Sequence, residues 1–99
     1  MSRVAYELSG RSAALVVDLG TAAAGWRIGD RPAEVGEVLA LAPRDEVESL
    51  LRRAIAEIRA HAAADDRSAE VLRRLAAEVW RDYRRAVDGV GAQSPLFRP

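Results

Sequence analysis

The chain has 99 residues, so a single domain is expected, and its apolar fraction of 49% argues against disorder. Its 15 basic and 15 acidic residues cancel, which excludes the strongly basic character of a typical nucleic-acid-binding protein. Because the chain contains no cysteine, it has neither a disulfide framework nor a thiol nucleophile.

The sequence also predicts the compartment in which the protein is found. All basic residues are arginine and alanine is abundant, which is typical of a GC-rich bacterial genome. Acidic Glu7 and Asp18 interrupt the first twenty positions, which therefore do not resemble a secretory signal. The longest apolar run, Ala13 to Val17, is too short to span a membrane. We therefore expect a cytoplasmic bacterial protein with no membrane association.

Alternating apolar residues predict a small N-terminal sheet. Val4, Tyr6 and Leu8 alternate with less apolar neighbours, and a second alternating run spans residues 13–19. A turn at residues 9–12 separates the two runs, so they are predicted to form a hairpin. Residues 25–29 are predicted to be a short third strand, on which Trp26 and Ile28 point the same way.

A change of pattern follows this sheet. Asp30, Arg31 and Pro32 have the composition of a helix start, in which the acidic residue caps and proline occupies the first turn. Residues 33–41 are then predicted to form a short helix, although a fourth strand over residues 37–41 is the alternative.

The C-terminal half predicts two amphipathic helices. Asp45 and Glu48 have the spacing of a capping box at the start of the first helix. Asp65 or Asp66 is expected to cap the second helix, and Gly89 is expected to end it. Because the connection between them is short, the helices should be antiparallel neighbours.

These elements together predict the fold class and the domain organisation. We expect an α+β fold, in which an antiparallel sheet of about three strands precedes a two-helix hairpin. Residues 1–90 would form one domain and residues 91–99 an extended tail. An all-α helical dimer is the structural alternative.

The width of the helical apolar faces suggests the leading functional hypothesis. An alanine-rich core is thin, and the two helices present more apolar surface than one small sheet needs. This favours a non-enzymatic protein–protein interaction module, an accessory, adaptor or regulatory protein that forms a homodimer through its hairpin. Trp80→Ala should then weaken association more than folding. The predicted contact residues are Leu51, Ile55, Ile58, Leu72, Val79, Trp80 and Tyr83.

An arginine-rich face of the second helix suggests an alternative partner. Five arginines cover one arc of this helix and have the geometry to contact nucleic-acid phosphates. Glu70, Glu78 and Asp88 lie in or beside the same arc, so ion pairs within the helix explain the pattern equally. The five residues are Arg73, Arg74, Arg81, Arg84 and Arg85. A docking peptide at residues 94–99, where two prolines bracket an apolar pair, is a further candidate.

The second alternative is a small subunit of a larger enzyme. His61 is the single histidine, and no partner residues at metal-ligand spacing accompany it, so no metal or cofactor is predicted. Residues 18–21, with the sequence Asp-Leu-Gly-Thr, resemble the phosphate-binding hairpin turn of actin-like sugar kinases and chaperone ATPases. The resemblance covers four residues, and those enzymes have two domains and further motifs that this chain is too short to contain.

Overall fold

The α+β fold is confirmed by the computed structural model, which describes residues 3–8 and 13–93. A four-stranded antiparallel sheet is followed by three helices. The strands are β1 (Arg3–Glu7), β2 (Ala13–Asp18), β3 (Ala23–Ile28) and β4 (Arg31–Ala33). The helices are α1 (Val35–Leu41), α2 (Arg44–Ala64) and α3 (Ala69–Gln93).

The sheet is an antiparallel meander with the strand order β1-β2-β3-β4. Its register places Tyr6 opposite Leu15 and Leu15 opposite Trp26, and all three are buried. Since side chains alternate between the faces of a strand, these residues mark the face that the helices cover. The predicted antiparallel pairing of β1 with β2 and the shared direction of Trp26 and Ile28 are therefore correct, while the predicted turn at residues 9–12 lies outside the described residues.

The sheet has one strand more than the sequence predicted. Residues 30–32 do not begin a helix, because Gly29 turns the chain with a φ of 62° and Arg31–Ala33 then pairs with β3. A left-handed φ of this kind is easy for glycine. Pro32 is tolerated because β4 is an edge strand, where one row of backbone amides needs no partner. The structural alternative, an all-α helical dimer, is wrong because β1 to β4 form a sheet.

The short helix α1 confirms the helical prediction for residues 33–41, although it begins two residues later. The backbone amide of Glu34, which precedes the helix, donates to the Glu37 carboxylate at 3.1 Å. Arg31 also donates to Glu37 at 3.1 Å, so the first turn of α1 is tied to β4. These contacts hold the pKa of Glu37 below its ordinary value, with the backbone hydrogen bond at Glu34 as the larger cause.

Helix α2 differs from the prediction at its start, and α3 differs at both ends. Because α3 begins at Ala69, neither Asp65 nor Asp66 is its N-cap residue, and Asp65 instead follows the last residue of α2. Helix α2 begins at Arg44 after Pro43 without a side-chain cap, so Asp45 lies in the first turn and Glu48 is free to point elsewhere. Helix α3 passes through Gly89 and ends at Gln93, because glycine inside a helix costs only about 1 kcal/mol. Positions 91–93 of the predicted tail are therefore helical, and the proposed docking peptide at 94–99 lies outside the described residues.

Helices α2 and α3 form the predicted antiparallel hairpin and pack on the sheet together with α1. Asp65 closes the connection between them, since its carboxylate accepts from the amide of Arg67 at 3.1 Å and from the hydroxyl of Ser68 at 3.0 Å. Every buried residue in the described part of the chain is apolar or tyrosine. The core thus lies in one layer, between the inner face of the sheet and the hairpin.

Candidate functional site

The residues predicted to form a hairpin interface lie mainly in the core of the single chain. Six of them are 9% exposed or less, because α2, α3 and the sheet bury them against one another. A partner can reach them only if the hairpin opens. These six are Leu51, Ile55, Ile58, Leu72, Val79 and Tyr83.

Trp80 is the one predicted contact residue that is half-buried. Its ring lies 5.3 Å from that of Tyr83, and the Arg52 guanidinium lies 5.2 Å above it. Arg52 also binds Glu48 at 2.8 Å, and the Tyr83 hydroxyl donates to the same carboxylate at 2.8 Å. The arginine that covers Trp80 therefore comes from α2. Glu48, Arg52, Trp80 and Tyr83 form one connected set of contacts at this edge of the hairpin.

Side chains of α2 also contact the inner face of the sheet along β1. The Tyr6 hydroxyl donates to Glu57 of α2, and the Arg53 guanidinium lies 5.7 Å from the Tyr6 ring. Burial, and then the hydrogen bond to the Glu57 carboxylate, raise the pKa of Tyr6 to about 12. Burial likewise raises the pKa of Tyr83, with the bond to Glu48 adding to it.

The five arginines predicted to bind nucleic acid are all exposed on α3. Two of them bind acidic residues one turn away: Arg74 lies 3.5 Å from Glu70, and Arg84 lies 3.8 Å from Asp88. Both pairs have the i,i+4 spacing of solvent-exposed helical ion pairs, which contribute little stability. The face is therefore a mixed surface of both signs.

The two features of the enzyme hypothesis lie close together. His61, exposed in the last turn of α2, and Gly20 line one open depression of about 450 Å³. The amides of Gly20 and Thr21 both donate to Asp18 Oδ1, at 2.9 and 3.3 Å. The donors that would cradle a phosphate are thus bound to the turn's own aspartate. Within residues 3–8 and 13–93, no three potential ligands cluster around a metal position.

The helices cover only one face of the sheet; the other face, which we call the outer face, carries no helix in the described part of the chain. Three rows of directly paired residues compose it. The Val16 row runs across its centre and holds Ala5, Val16 and Gly25. The Arg3 row lies on one side of it and holds Arg3, Asp18 and Ala23. The Glu7 row lies on the other side and holds Glu7, Ala14, Arg27 and Pro32.

The outer face combines a small apolar centre with charged margins. Its apolar side chains are short, so the face is shallow and holds two depressions of about 290 and 370 Å³ that meet at Val16 and Arg27. Within the Arg3 row, Arg3 lies 4.0 Å from Asp18 across the β1–β2 pair. At the opposite margin, Arg27 donates to the Asp30 carbonyl.

The sequence carried a signal for this face that the prediction did not use. In an ordinary half-exposed sheet the outward positions are charged or polar. Here the outward positions of β2 and β3 include Ala14, Val16, Ala23 and Gly25. An alternation in which the outward positions of two strands are small and apolar except for Asp18 and Arg27 indicates a sheet whose second face is suited to contact as well.

The fold and this surface define the chain as a small α+β protein with a one-sided helical layer. No protein-family model, curated protein or solved structure matches it. In the part of the chain that the structure describes, no helix has the length and hydrophobicity to cross a membrane.

Proposed function

We propose that this protein is a non-enzymatic protein–protein interaction module that acts through the outer face of its sheet. The functional class is the one that the apolar excess of the sequence suggested. The proposed contact surface is the outer face of the sheet instead of the helical hairpin. The hairpin uses its apolar residues within the chain, whereas the outer face leaves a row of small apolar residues, centred on half-buried Val16, in contact with water.

The composition of the outer face carries this proposal. An apolar core with a charged rim is the usual arrangement of a protein–protein interface. The methyl group of Ala5 and the lack of a side chain at Gly25 let another surface approach the sheet closely, while Arg3 and Arg27 supply bidentate donors at the margins. An accessory or regulatory role belongs to the same proposal, as does a cytoplasmic location, with which the cysteine-free composition is consistent.

Site-specific photo-crosslinking in cells tests the proposal. A photoreactive residue replaces Ala14 on the outer face, and in a matched variant it replaces Ala77, which is exposed on α3. We expect adducts of defined mass from position 14, absent from position 77, and suppressed when Val16→Lys is introduced into the same chain. Equal adduct patterns at the two positions, or no adduct at position 14, would refute the proposal.

The arginine face remains the basis of a second hypothesis, a nucleic-acid-associated regulator. Arg73, Arg81 and Arg85 would have to contact phosphates while Glu70, Glu78 and Asp82 lie exposed on the same helix. Binding through several phosphates weakens steeply with salt. A salt-independent or undetectable response to duplex DNA and to single-stranded RNA would remove this hypothesis. The hypothesis of an enzyme subunit rests on His61 and the turn at residues 18–21, and activity that survives both His61→Ala and Asp18→Ala would remove it.

A further inference from the structure

We infer that the partner of the outer face is a second copy of the same chain, packed sheet against sheet about a two-fold axis. This inference rests on the proposed function and names the partner of the same surface. It follows from the arrangement of charge in the two outer rows, which is complementary to itself under a half-turn about an axis along the Val16 row.

The rotation is defined relative to the three rows of the outer face. Its axis lies between the two copies and runs across the strands, along the Val16 row. A half-turn about this axis places the Val16 row of one copy on that of the other, and it exchanges the Arg3 row with the Glu7 row. The strand order is kept, so β1 lies over the partner's β1.

Opposite charges meet on both margins of such a pair. Arg3 of β1 faces the partner's Glu7, which occupies the same strand two positions beyond the central row. Asp18 of β2 faces the partner's Ala14, and the partner's Arg27 is offset from it by one strand, about 4.8 Å measured across the sheet. By symmetry each pair occurs twice. A half-turn about the strand direction along β2 would instead place Asp18 opposite the partner's Asp18, although it would also bring Glu7 opposite the partner's Arg27.

The apolar centre and the twist of the sheet are compatible with this packing. Stacked sheets keep their strand directions within about 30° of each other, and the resulting displacement at the margins is within the reach of an arginine side chain. At the centre, Ala5, Val16 and Gly25 of the two copies meet without a bulky side chain to hold them apart.

The size of the face predicts a reversible dimer. Strands of five, six, six and three residues, at about 3.3 Å per residue and about 4.8 Å spacing, give roughly 300 Å² per copy. Stable protein complexes bury about 1,200 Å² or more in total, so this interface belongs to the small, transient class. We expect dissociation on dilution, with a Kd in the micromolar range or weaker.

A charge-exchange experiment on the full chain tests the two-fold arrangement. Arg3→Glu leaves an outer face with two acidic β1 residues, and Glu7→Arg leaves one with two arginines. Each variant alone places like charges opposite each other and should self-associate at least about tenfold more weakly than the wild type. Mixed in equal amounts, the two variants should form a heterodimer within about threefold of the wild-type affinity.

Matched variants separate this geometry from general charge attraction. Arg59→Glu and Glu78→Arg make the same charge changes at exposed helical positions, and neither should alter self-association, alone or mixed. Val16→Lys, and independently Ala5→Lys, should abolish the dimer, while Val71→Lys on exposed α3 should not. Circular dichroism melts verify that each variant is folded.

Sedimentation equilibrium from micromolar to millimolar concentration gives the decisive outcomes. A concentration-dependent dimer with the expected variant pattern supports the inference. A monomer at millimolar concentration overturns it, as does a dimer that is indifferent to Val16→Lys and Ala5→Lys. Photo-crosslinking separates the failure of this inference from the failure of the proposed function. If the protein is a monomer by sedimentation but position 14 forms adducts with a different protein, the second copy is refuted and the proposed function stands.

Discussion

The Tyr83 hydroxyl donates a hydrogen bond of 2.8 Å to Glu48 Oε1 and thereby joins α3 to α2. The other carboxylate oxygen, Oε2, accepts two bonds from Arg52, whose guanidinium lies over Trp80. Glu48 therefore binds two side chains, Tyr83 on α3 and Arg52 on its own helix. This network holds the half-buried ring of Trp80 against the hairpin.

Removing the Tyr83 hydroxyl should weaken the hairpin without disturbing its packing. Tyr83→Phe keeps the buried ring and deletes one hydrogen bond to a charged acceptor, so we expect the free energy of unfolding to fall by about 1.5–3 kcal/mol. Urea denaturation measures this change. As a control, Glu48→Ala should cost less in the Tyr83→Phe background than in the wild type, and fully additive costs would show that the two residues do not interact.

Alkaline pH should unfold the protein through its two tyrosines. The pKa of Tyr6 is raised to about 12 and that of Tyr83 is raised above 10.0. Folding therefore favours the protonated phenols, and their contribution is present below pH 10 and is lost as pH rises toward 12. Since the chain has no lysine, no other side chain titrates in this window before arginine.

Absorbance at the phenolate band measures this titration directly. We expect the native protein to ionise its tyrosines at higher pH than the same protein in denaturant, and Tyr6→Phe to remove the component near pH 12. If native and denatured titration curves coincide, the hydrogen bonds from Tyr6 to Glu57 and from Tyr83 to Glu48 are not formed in solution.

Acid should weaken the contacts of Glu37 and Glu48. Their hydrogen bonds, from the Glu34 backbone to Glu37 and from Arg52 to Glu48, hold both carboxyl pKa values below 4.5. The stabilisation is thus present above pH 4.5 and is lost as pH falls through the lower folded-state values. The double variant Glu37→Gln, Glu48→Gln should show a flatter dependence of melting temperature on pH below 4.5, and an unchanged slope would contradict the assignment.

Two glycines should respond to alanine substitution in opposite directions. Gly29 has a φ of 62°, so Gly29→Ala should destabilise the protein by about 1–2 kcal/mol. Gly89 lies inside α3, and a Cβ there would meet nothing within 4 Å, so Gly89→Ala should stabilise by up to about 1 kcal/mol. Thermal melts measure both. A destabilising Gly89→Ala would instead support a helix that ends at this glycine.

Substitutions in the core test whether the buried hairpin residues act within one chain or at an interface between chains. Leu51 is fully buried, so Leu51→Ala should reduce the free energy of unfolding by about 2–5 kcal/mol. Chemical denaturation at two protein concentrations measures this loss, which should be equal at both if Leu51 acts within one chain. The exposed apolar Val71 is the matched control, and Val71→Ala should change stability by no more than about 0.5 kcal/mol. A concentration-dependent loss at Leu51 would restore the hairpin as an interface.

The sequence determined the periodic elements of this protein. The alternation at Tyr6 and Leu8 and at Leu15 and Val17, and the helical spacing of Leu51, Ile55 and Ile58, each place apolar residues on one face. That pattern is local, because it depends only on the repeat of the backbone. It therefore predicted the β1–β2 hairpin, the two long helices and the α+β class.

Element boundaries depended on contacts that no local pattern contains. Arg31–Ala33 became a strand because β3 offered an unpaired edge, and α3 continued past Gly89 because its hydrogen bonds outweighed the preference of glycine for a cap. The start of α2 shows the same effect, as Glu48 serves Arg52 and Tyr83 rather than the helix terminus.

Only the tertiary structure decided which apolar surface is used up in folding. The periodicity of α2 and α3 reveals a wide apolar face, yet it does not say whether a sheet, a neighbouring helix or another molecule covers that face. Packing with the inner face of the sheet buried Leu51, Ile58 and Tyr83, and it left Val16 and its row uncovered. The physical reason is that burial is a property of assembled surfaces, whereas periodicity is a property of a single segment.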